Sequence, residues 1–154
     1  MTKNPTDIAS PGADEKSMSI RILLVDDHPV VRRGLKALLG SRVEWQVIDE
    51  AADGVEAVDK ATSLRPDVIV LDVSMPRMDG LEACRIIRKR TPESEILIVT
   101  QNDSPQMMKE ALSAGARGYV AKSNLARDLM AAIESVSEHR CFAGQDHTPR
   151  GDGQ

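Results

Sequence analysis

The sequence predicts an α/β domain built on a parallel sheet. Continuous aliphatic runs such as Val68-Ile69-Val70-Leu71 indicate strands that are buried on both faces, as is typical of parallel sheets. Segments with the apolar spacing of amphipathic helices alternate with these runs along the chain. Strands that alternate with helices are normally joined by right-handed crossovers within one sheet.

The composition indicates one soluble domain. The chain has 154 residues, with 20 Lys and Arg against 24 Asp and Glu, and this balance argues against a basic nucleic-acid-binding surface. Its two cysteines, Cys84 and Cys141, have neither a disulfide-scaffold density nor a metal-ligand spacing, and we expect Cys84 in the core. No apolar run approaches the ~20 residues of a membrane span. Because a signal peptide is also missing, we expect a cytoplasmic protein.

The first part of the chain contains a leader and one strand–helix unit. Residues 1–19 are rich in Pro, Ser, Asp and Lys without periodicity, and we expect a disordered leader there. The apolar run at 20–25 predicts the first strand. After Pro29, apolar residues recur at helical spacing, which predicts a helix that ends near Gly40. These residues are Val31, Leu35, Leu38 and Leu39.

The middle of the chain repeats the strand–helix pattern twice, with turn residues at each boundary. The third strand leads directly into Asp72 and a loop punctuated by Pro76 and by Asp79-Gly80. The predicted elements are a short strand at 45–48, a helix opened by Asp53-Gly54 and closed by Arg65-Pro66, a strand at 68–71, and a helix with Leu81, Cys84 and Ile87 on its apolar face that stops at Thr91-Pro92.

The last part contains two more strand–helix units. An apolar run at 96–99 predicts a fourth strand that delivers Thr100 at its end. Ser104-Pro105 resembles an N-cap followed by proline at the first helical position, and Gly115 ends that helix. The fifth strand, 118–121, leads into Lys122. The final helix carries Leu125, Leu129, Ala132, Ile133 and Val136 on one face. The helical pattern ends near Arg140.

Polar side chains converge at the carboxyl ends of these strands, where open α/β sheets place their chemistry. The residues are Asp26, Asp27, Asp72, Thr100 and Lys122. Clustered carboxylates repel one another unless a cation joins them, and an all-oxygen site suits Mg²⁺. A lysine and a threonine hydroxyl suit phosphoryl oxygens, and Asp72 would then be a nucleophile that forms an acyl phosphate. Taken singly, Lys122 could be a solvated charge, Thr100 a strand-end hydroxyl and Asp26 a helix cap.

Four sequence motifs point to a family. They are Leu-Val-Asp-Asp-His-Pro at 24–29, Leu-Asp-Val-Ser-Met-Pro-Arg-Met-Asp-Gly at 71–80, Ile-Val-Thr at 98–100 and Gly-Tyr-Val-Ala-Lys at 118–122. Over about residues 20–140 the chain resembles the receiver domain of two-component response regulators. Within that family it resembles the subgroup that usually carries a C-terminal helix-turn-helix.

The resemblance implies a doubly wound, flavodoxin-like sheet of five parallel strands in the order 2-1-3-4-5, with helices on both faces. It implies that Asp72 accepts a phosphoryl group from a sensor histidine kinase, a phosphotransfer protein or a small phosphodonor. Thr100 and Lys122 would contact the phosphoryl oxygens, and Tyr119 would be an aromatic switch that turns inward as Thr100 moves. The surface of the fourth helix, fifth strand and last helix would then control an unknown output protein.

The resemblance also implies a Mg²⁺ site. Asp27 and Asp72 would bind the ion directly, together with the backbone carbonyl of Ser74, and Asp26 would help through water. We expect Ser74 and Asn102 to tune how long the phosphoryl group persists. His28, beside Pro29 at a helix start, is expected to be a surface residue with no catalytic role.

The expected domain boundaries are a leader at 1–19, a receiver domain at 20–140 and a disordered tail at 141–154, with no output domain. We therefore expect a regulator rather than an enzyme, which assists only its own phosphorylation and dephosphorylation. No direct contact of this chain with nucleic acid or membrane is expected. The sequence does not decide whether the chain forms a homodimer on phosphorylation.

Three alternatives use parts of the same pattern. A phosphatase like the haloacid dehalogenases would need a second Asp two residues after its nucleophile, where this chain has Ser74. A flavodoxin-like FMN carrier would need a phosphate loop after the first strand, where Asp26-Asp27 would repel phosphate. The third alternative is a receiver-like interaction scaffold that is never phosphorylated.

Overall fold

A computed structural model describes residues 19–73, 78–101 and 103–143. Strands and helices alternate along the chain as the sequence predicts. They are β1 Ile20–Val25, α1 Pro29–Leu39, β2 Trp45–Ala51, α2 Gly54–Leu64, β3 Val68–Asp72, α3 Gly80–Arg90, β4 Glu95–Thr100, α4 Pro105–Ser113, β5 Gly118–Ala121 and α5 Leu125–Ser137, with a 3₁₀ turn at Lys122–Asn124. Apart from Ser19, the predicted leader lies outside the described residues, as do residues 144–154 of the predicted tail.

The five strands form one parallel sheet in the order β2-β1-β3-β4-β5. This confirms the predicted order 2-1-3-4-5. Every residue of β3 and β4 is buried, as the continuous apolar runs predict for central strands. Because all the strands run in the same direction, their carboxyl ends share one edge of the sheet.

Helices cover both faces of the sheet, which makes the fold doubly wound. On one face α2, α3 and α4 contribute buried residues, among them Val58, Cys84 and Ala111. On the other face α1 and α5 do so, for example through Leu35 and Ile133. Cys84 is fully buried, as predicted, and burial raises the pKa of its thiol to about 12. Among the described residues no helix combines the length and apolarity needed to cross a bilayer.

Strand β2 is longer than predicted, because it continues through Asp49 and Glu50 to Ala51. It lies at an edge of the sheet, so polar side chains near its end reach cations on neighbouring helices. Lys60 Nζ lies 3.2 Å from Asp49 Oδ1, and Lys36 Nζ lies 2.8 Å from Glu50 Oε2. The predicted end of this strand at residue 48 was therefore wrong by three residues.

Two further differences concern helices. The buried face of α3 is formed by Gly80, Ala83, Cys84 and Ile87, whereas Leu81 is only partly buried. Helix α5 ends at Ser137, before the predicted fading near residue 140. The chain then reverses direction through His139, which has a left-handed backbone with φ of 65°.

A buried carboxylate lies at the amino-terminal end of β4. Glu95 is only 3% exposed, and two arginines and a histidine surround it. Its carboxylate lies 3.2 Å from Arg117 Nη2, 3.5 Å from Arg88 Nη1 and 2.5 Å from His139 Nδ1. Burial acts to raise the pKa of Glu95, but the bonds with His139 and Arg117 outweigh it and the pKa is lowered.

The segment after α5 pairs with the edge strand β5. The backbone of Phe142 forms a parallel bridge with Gly118, and this bridge lies beyond the domain boundary expected at residue 140. The close packing needs a glycine on β5, because a Cβ at position 118 would lie 2.8 Å from Val136 Cγ1 and 3.1 Å from the carbonyl oxygen of Phe142.

Candidate functional site

The strand register brings the predicted site residues to one edge of the sheet. Val25 of β1 is opposite Leu71 of β3, so Asp26 and Asp72 follow at the same level. Asp72 is opposite Val99 of β4, and Thr100 is the next residue. Ala121 of β5 is opposite Thr100, and Lys122 follows it. The convergence of Asp26, Asp27, Asp72, Thr100 and Lys122 that the sequence predicts is therefore present.

Lys122 is the cation that faces the two buried carboxylates. Its Nζ lies 3.4 Å from Asp26 Oδ2 and 3.4 Å from Asp72 Oδ2. Both aspartates are 2% exposed, and the lysine side chain is 15% exposed. Two buried carboxylates side by side repel each other, and a shared cation offsets that cost. Lys122 is thus part of the site rather than a solvated charge.

His28 contacts Asp26 and Asp27, the acidic pair that follows β1. Its Nδ1 lies 3.0 Å from Asp26 Oδ1 and 3.0 Å from Asp27 Oδ1, and its backbone N–H donates to Asp26 Oδ1 at 2.8 Å. The side chain is 59% exposed, which agrees with the expected surface position. The contact with both carboxylates was not predicted. The only sequence signal for it is that His28 directly follows Asp26-Asp27.

The acidic edge has the donor set of a divalent cation site. Asp26, Asp27, His28 and Asp72 each offer one ligand atom, and these atoms lie within 4.8 Å of one another. Asp27 Oδ1 is buried and accepts no hydrogen bond of acceptable geometry from the described residues. A buried carboxylate oxygen in that state is costly, and a bound cation would satisfy it. The residues therefore fit Mg²⁺, although Ser74 lies outside the described residues.

Gly80 allows the start of α3 to approach Asp72 closely. A Cβ at this position would lie 2.4 Å from the carbonyl oxygen of Asp72 and 2.6 Å from Val73 Cα. The Gly80 N–H also donates to the carbonyl oxygen of Val73 at 3.1 Å. Asp79 caps the helix by accepting a hydrogen bond from the Glu82 N–H. The sequence predicts a turn here, but not this close packing.

Tyr119 is buried beside the site, on β5. It is 1% exposed, and its hydroxyl lies 3.1 Å from Asp103 Oδ1 and 3.2 Å from the Ser104 N–H, which donates to it. Burial, together with the Asp103 carboxylate, raises the pKa of Tyr119 to about 12. The ring thus lies against the start of α4. Asn102, expected to affect the lifetime of the phosphoryl group, lies outside the described residues.

The fold and the site define a doubly wound α/β protein whose acidic edge suits a cation and a phosphoryl group. The comparison with known families agrees with this class. Residues 22–134 match the response regulator receiver domain, and the chain belongs to that family of two-component signalling proteins.

Solved structures and curated relatives support the assignment. A LuxR-family two-component response regulator from Aurantimonas sp. SI85-9A1 has 39% identity and a TM-score of 0.80, over 83% of this chain and 91% of that one. The DNA-binding transcriptional activator DevR/DosR of Mycobacterium tuberculosis is 43% identical over 79% of this chain, and the response regulator protein VraR of Staphylococcus aureus is 38% identical over 78%. The chain spans 56% and 57% of the lengths of those two relatives.

Membership of this family assigns the general role. Receiver domains are phosphorylation-dependent signalling switches that act with histidine kinases or other phosphodonors, and they are regulators rather than metabolic enzymes. The phosphatase, FMN-carrier and scaffold alternatives are not favoured by any of these relatives.

Proposed function

We propose that Asp72 is the phosphoacceptor of this receiver domain. The observation that supports the proposal is the position of its carboxylate, which is buried at the end of the central strand β3, 3.4 Å from Lys122 Nζ. Asp26 directly follows the neighbouring strand β1, at the same level. An aspartate in this environment has a cation on one side and a candidate metal site on the other.

In the transfer step an oxygen of the Asp72 carboxylate bonds to phosphorus. The bond from phosphorus to the donor breaks at the same time, and the donor's histidine nitrogen or acetate oxygen keeps the electron pair. The chain supplies position and charge rather than further covalent chemistry. Lys122 neutralises negative charge on one phosphoryl oxygen, and the Thr100 hydroxyl donates to another. The chain assists only its own phosphorylation and later hydrolysis.

A Mg²⁺ ion fits the acidic edge. We assign Asp27 and Asp72 as direct ligands together with the Ser74 backbone carbonyl, and Asp26 as a ligand through water. When bound, Mg²⁺ reduces the negative charge that the phosphoryl oxygens and carboxylates share. The residues of the chain keep the donor atoms close together before the ion arrives, at the cost of repulsion that Lys122 partly offsets.

The phosphoryl group then changes a surface. Thr100 moves toward the new anion and holds Tyr119, which is already buried, in its inward position. The surface of α4, β5 and α5 is then altered for an output partner or a second copy of the chain. Ser74 and Asn102 tune the hydrolysis rate. An unchanged dephosphorylation rate in both Ser74→Ala and Asn102→Ala would contradict that role. We place this signalling in the cytoplasm.

Intact mass spectrometry after incubation with acetyl phosphate and Mg²⁺ tests the acceptor. We expect the wild type to gain one phosphoryl group and Asp72→Asn to gain none. Asp59→Asn is the matched control, because Asp59 is an exposed aspartate of α2, and it should behave as wild type. An equal gain in Asp72→Asn would contradict the proposal. No gain in a folded, Mg²⁺-bound wild type would point to a kinase-specific donor or to the scaffold alternative.

A further inference from the structure

The candidate cation site contains a nitrogen donor that an ordinary Mg²⁺ site does not need. We propose that His28 Nδ1 is a ligand in this site, which therefore favours divalent transition-metal ions that bind imidazole well, such as Co²⁺, through a mixed nitrogen and oxygen donor set. The inference rests on the proposed function, because Asp27 and Asp72 belong to both donor sets.

The distances match metal ligation. Two neighbouring ligands of an octahedral ion with bonds of ~2.1 Å are separated by about 3.0 Å. His28 Nδ1 lies 3.0 Å from Asp26 Oδ1 and 3.0 Å from Asp27 Oδ1. Nδ1 and Asp27 Oδ1 are thus spaced like two neighbouring ligands of one ion.

A hydrogen bond alone accounts poorly for this arrangement. Nδ1 carries at most one proton, so it cannot donate a well-aligned bond to two carboxylate oxygens at once. Asp27 Oδ1 stays buried without an acceptable hydrogen bond from the described residues, despite its distance to the imidazole. A cation bound by Nδ1 and Asp27 Oδ1 would satisfy both atoms, with Asp26 as a ligand through water as assigned above.

The chemistry of imidazole determines which ions bind more tightly when His28 is a ligand. Mg²⁺ prefers oxygen ligands and keeps several waters, whereas imidazole nitrogen suits transition-metal ions. The His28 side chain is 59% exposed, so an ion can reach it from solvent. It also makes no side-chain cap bond at the start of α1, so its replacement leaves the helix cap unchanged.

Pulsed electron paramagnetic resonance of bound Mn²⁺ detects a coordinated nitrogen directly. We expect ¹⁴N coupling in the wild type and its loss in His28→Ala. His139→Ala is the control, because it removes a histidine from the opposite end of the sheet and should keep the coupling. By calorimetry, we expect His28→Ala to weaken Co²⁺ binding roughly tenfold or more. Its Mg²⁺ affinity should change by less than about threefold.

The outcomes separate this inference from the proposed function. Bound Mn²⁺ without ¹⁴N coupling, or coupling that persists in His28→Ala, would overturn ligation by His28 and leave phosphorylation of Asp72 standing. Equal losses of Co²⁺ and Mg²⁺ affinity would overturn the selectivity. If no divalent ion binds the folded wild type, the Mg²⁺ site and the inference both fail. Circular dichroism of His28→Ala and His28→Gln verifies that each variant is folded.

Discussion

The backbone N–H of Tyr119 donates a hydrogen bond of 2.7 Å to the carbonyl oxygen of Phe142. The Phe142 N–H in turn donates to the carbonyl oxygen of Arg117 at 3.2 Å. Tyr119 is the residue that we propose as the switch, and Phe142 belongs to the segment that follows α5. A rearrangement of β5 therefore acts directly on the backbone of the segment that leaves the domain.

Replacing Phe142 with proline should loosen this pairing. Proline has no N–H to donate to Arg117, and its ring would hold the segment away from β5. We expect amide hydrogen exchange of Tyr119 to become up to about tenfold faster. Nuclear magnetic resonance of the exchanging amides measures this. Cys141→Ala, a change at an exposed neighbour, should leave the rate unchanged, and an unaltered rate in Phe142→Pro would show that the pairing does not protect Tyr119.

The Glu95 cluster should make stability depend on pH. The folded-state pKa of Glu95 lies below its ordinary value of 4.5, so its contribution to the free energy of unfolding is present above that value. The contribution is lost as the pH falls through the folded-state pKa. We expect Glu95→Gln to lower the free energy of unfolding by roughly 1–3 kcal/mol at pH 7, with the difference from wild type shrinking below pH 4.5.

Urea unfolding at a series of pH values measures this difference. Glu93→Gln is the matched control, because Glu93 forms an exposed pair with Arg65. Such surface pairs contribute little, so that variant should unfold at the same urea concentration as the wild type. A Glu95→Gln deficit that is constant across the series would show that the carboxylate charge is not its source.

Removing the charge of Lys122 should make the stability of the protein depend on Mg²⁺. Lys122→Met leaves Asp26 and Asp72 buried without the Nζ that lies 3.4 Å from each. We expect the free energy of unfolding to fall by roughly 1–3 kcal/mol without Mg²⁺. Mg²⁺ should then stabilise the variant more than the wild type, because it binds a more negative site.

Thermal unfolding with and without Mg²⁺ tests this dependence. Lys89→Met is the control, since Lys89 is an exposed residue of α3, and it should respond to Mg²⁺ as the wild type does. Equal stabilisation of Lys122→Met and wild type would show that Lys122 does not offset the charge of the site.

Two glycines should respond in opposite ways to replacement by alanine. Gly80→Ala puts a methyl group 2.4 Å from the carbonyl oxygen of Asp72, so the backbone of the site must move. We expect lower stability, by roughly 1–3 kcal/mol, and slower phosphorylation by acetyl phosphate. Gly34→Ala in α1 meets no described atom within 4 Å and should raise stability by roughly 0.5–1 kcal/mol. Urea unfolding measures the change in stability of each variant. Timed intact-mass measurements compare their rates of phosphorylation.

The sequence predicts the sheet and most of the site because both depend on simple patterns. Buried central strands such as β3 require unbroken apolar runs, and parallel strands bring their carboxyl ends to one edge. The convergence of Asp26, Asp72 and Lys122 follows from those two facts. Membership of the family agrees with the interpretation of the motifs that contain them.

What the sequence does not predict depends on geometry that residue types do not encode. The extension of β2 through Glu50 relies on cations from neighbouring helices. The contact of His28 with two carboxylates depends on the turn after β1 and on a side-chain rotamer. The pairing of Phe142 with β5 uses only backbone groups, which every non-proline residue has.

Trp45 is the only tryptophan of the chain, and Arg42 stacks 4.3 Å from the centre of its ring. It begins β2 opposite Ile20, whereas the acidic residues follow the other ends of the strands, roughly 20 Å away for strands of this length. The tryptophan emission of this protein therefore comes from a position remote from the phosphorylation chemistry. A change in emission on phosphorylation would mean that a rearrangement had travelled the full length of the sheet, and constant emission would confine the rearrangement to the site edge.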